Sequence, residues 1–166
     1  NHVLMIRPIN FRMNEQTTLN NYYQKSLESF SDDEIQTFAL NEFDNLVNKL
    51  KAVGVDVIVV NDQHNFNTPD SIFPNNWISF HHDGNVGLYP MFAPNRRLER
   101  REDILDILEE KGFIIENIID YSSAEIDEIF LEGTGSIVLD RENQNAYCAI
   151  SPRSDEELFI EFCEDF

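Results

Sequence analysis

Apolar residues in this chain form short continuous runs that alternate with longer stretches of helical spacing. The runs at 2–6 and 55–60 predict strands, and the β-branched run at 55–60 predicts a buried one. Between them, Ser31 and Glu34 have the Ser-x-x-Glu spacing of a capping box, which predicts the start of a helix. This helix is expected to end at Gly54 and to use these apolar positions for packing: Phe38, Phe43, Leu46, Val47 and Leu50.

Two hairpins are predicted further along the chain. The first joins strands at 77–82 and 86–91, because Asp-Gly between two apolar runs is a strong turn signal. The second joins strands at 136–140 and 146–150. The other expected elements are a loop at 10–30 with at most one helical turn, a helix near 98–111 ended by Gly112, a strand at 113–119 and an acidic loop at 120–127. A last helix is expected to start at Ser154, with a cap through Glu157. Its packing residues would be Leu158, Phe159 and Phe162.

The order helix, strand, loop and hairpin recurs with a period of roughly 55 to 65 residues. We therefore predict an α/β fold made of repeats within one domain. The first repeat would occupy about 1–92, the second about 93–151, and the start of a third about 152–166. A chain that stops at the start of a third cycle is expected to be incomplete. The alternative is an independent α/β sandwich of two units.

One carboxylate, Glu132, stands between large apolar residues and two glycines in the sequence Phe-Leu-Glu-Gly-Thr-Gly-Ser at 130–136. Two glycines within three residues mark a tight turn or a close approach of the backbone to another group. The strand that follows places Glu132 where a loop enters a sheet, and such loops often hold ligands. The alternative is a glycine-rich start of a hairpin that happens to carry an acid.

The composition of the chain argues against some classes of binding partner. The formal net charge is −19, with 31 acidic residues against 12 Lys and Arg, which argues against nucleic acid or an anionic membrane. A cationic small substrate would be tolerated, although acidity alone also serves solubility. The two cysteines form no disulfide framework, which favours a reducing cytoplasm. No apolar run is long enough to span a bilayer and no signal-peptide layout is present. Because the chain begins at Asn1 without a Met, the loss of an upstream residue or leader is an open expectation.

The motifs resemble those of the guanidino-group modifying superfamily, which includes arginine deiminase, dimethylarginine dimethylaminohydrolase and the amidinotransferases. The greatest similarity is to bacterial amidinotransferase-related hydrolases of the citrulline-utilisation type. The resemblance implies a five-bladed α/β propeller, or pentein, built from ββαβ units. It covers essentially the whole chain but only the N-terminal half of such a protein, so an incomplete propeller of about two and a half repeats is expected.

Three segments carry this resemblance. The sequence Phe-Pro-Asn-Asn-Trp at 73–77 resembles the family's Phe-x-Arg-Asp-Pro segment, whose acid contacts the substrate guanidinium, and Asn76 stands at the position of that acid. Arg96, five places after Met91, falls where the family binds the substrate carboxylate. Glu132 falls where a family Glu contacts both the guanidinium and the catalytic His. The resemblance thus implies one catalytic residue, Glu132, and the substrate-binding residues Phe73, Asn75, Asn76, Arg96 and Glu132.

Alternatives remain for these positions. Without the resemblance, Arg96 and its neighbours Arg97, Arg100 and Arg101 would be a solvated basic stretch near a helix start. Asn75 rather than Asn76 is the alternative residue facing the site. An amide at position 76 lacks the charge of an acid and leaves room for a neutral ureido group such as that of citrulline. We expect Asn76→Asp to move the preference toward arginine-like substrates.

The family's nucleophilic Cys and its acid/base His lie in later repeats, outside this chain. Cys148 and Cys163 are interpreted as small buried thiols, on a strand and on the apolar side of a helix. His81 and His82 are adjacent on a predicted strand and would point to opposite faces, which makes them a poor pair for one metal ion. Neither a metal nor a cofactor is expected.

The first functional hypothesis is that the complete protein is a cysteine-dependent hydrolase acting on arginine, a methylarginine, citrulline or a related amino acid. Its partner would be that small molecule, and a homo-oligomer is an open alternative. The second hypothesis, from another class, is a non-catalytic acidic binding or assembly module that needs another chain. On either hypothesis residues 1–166 alone are expected to be inactive.

Overall fold

The computed structural model describes residues 2–18, 21, 29–63 and 65–166. The chain divides into two compact units, with the boundary between Pro74 and Asn75. The proposed repeat boundaries at about 92 and 151 stay a prediction. Part of the loop expected at 10–30, as well as His64, falls outside the described residues.

The first unit is a parallel two-stranded sheet crossed by a long helix. Its elements are β1 (His2–Arg7), α1 (Glu15–Thr18), α2 (Asp32–Ala52) and β2 (Asp56–Asn61). β1 and β2 pair in parallel from His2 opposite Asp56 to Arg7 opposite Asn61. A parallel pair requires a crossover connection, which α2 supplies. The single helical turn expected in the loop at 10–30 is α1.

The capping box that starts α2 is confirmed. The Ser31 side chain accepts from the Glu34 backbone N–H, and Glu34 accepts from the Ser31 backbone N–H. Of the five apolar positions predicted for packing, Phe43 and Val47 are buried against the sheet and Leu50 is partly buried. The packing prediction is wrong for Phe38 and Leu46, which are about half exposed, because a two-stranded sheet covers only a narrow stripe of the helix.

The second unit contains a three-stranded sheet and a hairpin. The three-stranded sheet consists of β3 (Ile78–Phe80), β4 (Asn85–Leu88) and β5 (Asn117–Asp120), with an antiparallel and then a parallel pair. The connection from β4 to β5 contains α3 (Pro94–Arg97) and α4 (Asp103–Glu110). After it come α5 (Gly133–Ser136), the hairpin of β6 (Ile137–Asp140) and β7 (Asn145–Cys148), and α6 (Glu156–Asp165). The described residues also contain two 3₁₀ turns: Pro74–Asn76, which begins at the last residue of the first unit, and Ser122–Asp127.

Both hairpins are confirmed, while several boundaries differ from the predictions. The helix expected at 98–111 is shorter and begins at Asp103, as α4, while the separate turn α3 precedes the predicted range. The strand expected at 113–119 is shorter and begins at Asn117. The N-cap of α6 is Asp155, whose side chain accepts from the Leu158 backbone N–H at 3.0 Å. Ser154 does not cap this helix because its hydroxyl donates to the Ala149 carbonyl at 2.6 Å.

Two expectations about small side chains are wrong. Cys163 is exposed rather than buried, because its neighbour Phe162 occupies the inward position on α6. Cys148 is only partly buried. His81 and His82 lie beyond the end of β3, in the turn, so alternation along a strand does not decide their directions. No described helix has the length and apolar character needed to cross a bilayer.

His81 is held in a half-buried position at this turn. Its ring stacks on Phe166 with 3.9 Å between ring centroids, and its Nε2 lies 2.9 Å from the hydroxyl of Ser79. Ser79 in turn lies 2.6 Å from the hydroxyl of the buried Tyr89. Burial, and then the nearby Arg141 guanidinium, lower the pKa of His81 to about 4. The imidazole is therefore neutral at neutral pH.

The low pKa of His81 makes stability depend on pH. In the unfolded chain the ring takes up a proton near pH 6.5, whereas the folded chain takes it up only near pH 4. The unfolded state thus binds more protons between these values, so the free energy of unfolding should fall as the pH drops from 6.5 to 4. We expect a loss of about 1 to 2 kcal/mol, reduced from the full linkage value by solvent screening.

Urea unfolding across this pH range, for the wild type and for His81→Gln, measures the contribution. The difference between the two proteins should be pH-dependent between 6.5 and 4 and flat above 6.5. Parallel curves would show that other groups cause any acid loss of stability.

Candidate functional site

Glu132 is a buried acid at the start of α5, with only 1% of its surface exposed. Its backbone N–H donates to the Arg153 carbonyl at 3.1 Å, and its own carbonyl accepts from the Ser136 N–H at 3.0 Å. The carboxylate therefore projects from a backbone fixed on both sides. A buried carboxylate requires hydrogen-bond donors, because desolvation of an unpaired charge is costly.

Three donors surround the Glu132 carboxylate. Oε1 accepts from the backbone N–H of Phe92 at 3.2 Å, and Oε2 accepts from Nδ2 of Asn76 at 3.0 Å. Nη1 of Arg153 lies 3.4 Å from Oε2. These groups come from the turn before β3, the loop after β4 and the loop after β7. Glu132 is thus the point at which three separate loops meet.

A second buried ion pair lies beside Glu132. Nε and Nη2 of Arg96 donate to the two carboxylate oxygens of Glu99 at 3.0 and 2.9 Å, and both side chains are almost fully buried. The remaining Nη1 of Arg96 lies 4.0 Å from Oε2 of Glu132. This two-pronged arrangement uses the planar donors of Arg96 on Glu99. Two arginines, Arg96 and Arg153, and two glutamates, Glu99 and Glu132, therefore form one buried cluster of equal and opposite side-chain charges.

The two glycines after Glu132 allow the backbone to approach Asn75 and Asn76. A Cβ at Gly133 would lie 2.6 Å from the Asn75 carbonyl oxygen and 2.9 Å from the Tyr89 ring. A Cβ at Gly135 would clash with Nδ2 of Asn76. The sequence interpretation of a close backbone approach therefore holds, and its partner is the Asn-Asn turn.

Aromatic rings and arginines form one wall of the site. Phe92 and Phe130 meet edge to face with 5.3 Å between ring centroids. The Arg153 guanidinium lies 6.0 Å from the centre of the Phe92 ring, and that of Arg97 lies 5.6 Å from the centre of Phe130. Such contacts favour a guanidinium over a ring face. They fix Arg153 in the direction of Glu132.

Glu125 holds the loop that carries this wall. Its carboxylate accepts from the backbone N–H of Met91 at 2.7 Å and from both terminal nitrogens of Arg100. Arg97 lies 3.5 Å away and also donates from Nε to the Met91 carbonyl at 2.9 Å. Arg97 and Arg100 therefore organise the loop and are not the solvated basic stretch of the alternative interpretation.

The predicted site residues separate into two groups. Asn76, Arg96 and Glu132 lie together in the cluster just described. Asn75 has an exposed side chain, and its carbonyl accepts from the Thr134 hydroxyl at 3.3 Å. Phe73 belongs to the other unit and is 46% exposed. The substrate-binding and catalytic roles of these five residues stay a prediction.

Sequence reasoning missed Arg153 and Glu99. Arg153 follows β7, where no sequence motif indicates a site. Its contact with Glu132 spans 21 positions. Glu99 could have been found from its spacing, because Arg96 and Glu99 stand three apart near a helix start, where such side chains can meet. Among the described residues, no group of three or more His, Cys, Asp or Glu is placed to hold a metal ion.

The arrangement suits recognition of a polar planar group. Arg153, whose side chain is 19% exposed, can present donors to a ligand carboxylate while remaining close to Glu132. The Glu132 carboxylate and the Asn76 amide can offer acceptors and a second N–H to a group that lies between them.

A known family matches nearly the entire sequence. The match to the family described as "N,N dimethylarginine dimethylhydrolase, eukaryotic" covers residues 7–166. The chain therefore belongs to this family. No curated protein matches the sequence.

Solved structures agree on the fold. The N-terminal domain of ArgZ, an arginine dihydrolase from the ornithine-ammonia cycle in cyanobacteria, was solved with substrate; it has a TM-score of 0.68 at 18% identity over 98% of this chain and 54% of that chain. Unliganded AgrE has a TM-score of 0.66 at 21% identity, over 94% of this chain and 20% of its own. A dimethylarginine dimethylaminohydrolase variant, solved as an adduct with S-methyl-L-thiocitrulline, has a TM-score of 0.66 at 17% identity over 99% and 57%. The chain thus spans about half of the solved ArgZ N-terminal domain and of the dimethylarginine dimethylaminohydrolase variant, and about a fifth of the AgrE chain.

Proposed function

We propose that this chain is the N-terminal part of a cysteine-dependent hydrolase that cleaves a C–N bond of a guanidino or ureido amino acid. Family membership and the buried Glu132 cluster support the proposal. The complete fold would be a five-bladed α/β propeller. The nucleophilic Cys and the acid/base His would come from outside residues 1–166, so this chain alone would be inactive.

In the proposed reaction the thiolate attacks the central carbon of the guanidino or ureido group. The C–N bond breaks as the histidine donates a proton to the departing amine or ammonia. Water then attacks the covalent adduct and restores the thiol. Glu132 would orient the histidine and favour its charged form, and no cofactor takes part.

The charge of the site favours a neutral ureido group over a cationic guanidinium. Arg96 and Arg153 balance Glu99 and Glu132, while Asn76 adds no charge. Since each described carboxylate of this cluster already faces an arginine, a guanidinium would compete with these arginines for its counter-charge, which is unfavourable in a buried site. A ureido group brings none, and its oxygen can accept from the second N–H of Asn76. We therefore favour a citrulline-like substrate over arginine.

Asn76→Asp tests this preference. The substitution would give the cluster a net charge of −1 and replace a donor to Glu132 by a second carboxylate. A cationic guanidinium would then gain a charge-assisted interaction of about 1.5 to 3 kcal/mol. In the complete polypeptide, the ratio of kcat/KM for arginine to that for citrulline should rise by roughly 10-fold or more.

Asn75→Asp is the matched control, because it adds the same charge one position away on an exposed side chain. This control should leave the ratio nearly unchanged. An equal rise in both variants would mean that general charge, rather than the position of Asn76, sets the preference. The absence of turnover of any guanidino or ureido amino acid by the complete wild-type polypeptide would instead favour the non-catalytic module.

The compartment proposed for this enzyme is the reducing cytoplasm. Both cysteines are free thiols, which is the expected state of thiols there. The proposed partner is the small-molecule substrate, and the net charge of −19 disfavours nucleic acid and anionic membranes as partners.

A further inference from the structure

A pocket separate from the Glu132 cluster lies between the turns of the two hairpins and α6. Its volume is about 140 Å³, and its lining includes the apolar side chains of Leu139, Ala146, Phe162 and Phe166. A dry apolar cavity of roughly 150 Å³ is large enough for a benzene ring. The pocket can therefore take a small ring or a branched apolar group.

Arg141 lies at this pocket and differs from the other arginines. Seven of the eight arginines have a carboxylate within ion-pair distance, in a chain with 31 acids against 12 Lys and Arg. Among the described residues, Arg141 has no carboxylate partner, and its one hydrogen-bond contact is from Nη1 to Nδ1 of His81 at 3.4 Å. A neutral ring nitrogen at this distance is a weaker acceptor than a carboxylate. The guanidinium can thus exchange this contact for a stronger one.

The acid beside Arg141 does not take that role. The Asp140 carboxylate accepts from the backbone N–H of Asn143 at 3.2 Å and from its side-chain amide at 2.7 Å. Both of its oxygens are engaged within the β6–β7 turn. Asp140 therefore stabilises the turn and forms no ion pair with the Arg141 guanidinium.

We propose that this pocket binds a small carboxylate with an apolar ring or branched chain, whose carboxylate pairs with Arg141 while its apolar part packs against Phe162 and Phe166. The site goes beyond the proposed hydrolase activity. It lies at the opposite end of β3 and β6 from Asn76 and Glu132, because Asn76 precedes β3 and His81 follows it, while Glu132 precedes β6 and Arg141 follows it.

Benzoate is a suitable probe, with benzamide as its neutral isostere. Backbone amide shifts of the ¹⁵N-labelled chain would be followed by NMR during titration with each compound. We expect benzoate to shift amides at 81–82, 139–146 and 162–166 with a Kd on the order of 1 mM, which is typical of a fragment-sized ligand. Benzamide should bind at least about tenfold more weakly.

Two variants assign the carboxylate contact. Arg141→Gln should weaken benzoate binding at least about tenfold, since it removes the charged donors from an exposed position. Arg101→Gln removes an arginine that pairs with Asp103 outside the pocket, and it should leave the affinity unchanged. Circular dichroism of both variants checks that the fold is retained.

Three outcomes would overturn the proposal. One is the absence of shifts at these residues with benzoate on the order of ten millimolar. Another is equal binding of benzamide, or equal binding by Arg141→Gln, which would mean an apolar pocket without carboxylate recognition. The third is a set of shifts confined to residues around Glu132 and Arg153, which would assign benzoate to the other site.

Discussion

Replacing Gly133 by alanine is expected to lower the free energy of unfolding by about 2 to 5 kcal/mol. The residue has a φ of +36°, a region that costs an L-residue about 1 to 2 kcal/mol. The added Cβ would also lie 2.6 Å from the Asn75 carbonyl oxygen, where backbone would have to move. Overpacking of this kind costs a further 1 to 3 kcal/mol or so. Urea unfolding followed by circular dichroism measures the total.

Gly112→Ala separates the two contributions. Gly112 has a φ of +90° and no heavy atom within 4 Å of a built Cβ, so only the backbone term applies. We expect a loss of about 1 to 2 kcal/mol for this control. Losses of the same size in both variants would show that the Asn75 carbonyl moves away from the added Cβ at little cost. Gly133 would then be needed only for its backbone angle.

Glu132→Gln should destabilise the chain by about 3 kcal/mol. Glutamine keeps the volume and one acceptor oxygen, but it removes the charge that faces Arg153 and lies near Arg96. Removing one partner of a buried ion pair leaves an uncompensated charge and typically costs about 3 to 5 kcal/mol. Arg153 is partly exposed and can regain some hydration, which places the expected loss at the lower end. Thermal and urea unfolding of the purified chain would measure it.

Asp103→Asn is the control for an ion pair whose carboxylate is more exposed. The two carboxylate oxygens of Asp103 accept from Nε and Nη2 of Arg101, and the Asp103 side chain is 48% exposed. An exposed pair of this kind contributes about 1 kcal/mol or less. If the two variants lost equal stability, burial of Glu132 would not be the cause of its effect.

Local signals in the sequence predicted local structure well. The Ser31 and Glu34 capping box and the Asp-Gly turn depend on neighbouring residues only, and both are found as expected. The glycines at 133 and 135 predicted a close backbone approach without naming its partner. That partner, the Asn-Asn turn, lies more than 50 positions away, because Asn76 and Glu132 are separated by 56 residues.

Other features could not be predicted from local signals. Whether Arg96 is solvated or buried depends on Glu99 and on the whole cluster around Glu132. The basic stretch has the same sequence pattern in both cases, so the pattern does not distinguish them. The burial of Cys163 was predicted from helical spacing, but a short helix has room for few inward positions, and Phe162 takes one of them. The division into two units at Pro74 also had no composition signal in the sequence.

Two long-range contacts, one at each end of β3 and β6, connect residues that flank these strands. They affect the order in which the chain folds. The Asn76–Glu132 contact spans 56 positions and the His81–Arg141 contact spans 60. Closing loops of this length is entropically unfavourable until other contacts form, so such contacts tend to arise late in folding. Each hairpin can form by itself from local turns, whereas the Glu132 cluster requires both hairpins to dock. The Glu132 cluster would therefore be absent from early folding intermediates, and its assembly would coincide with completion of the second unit.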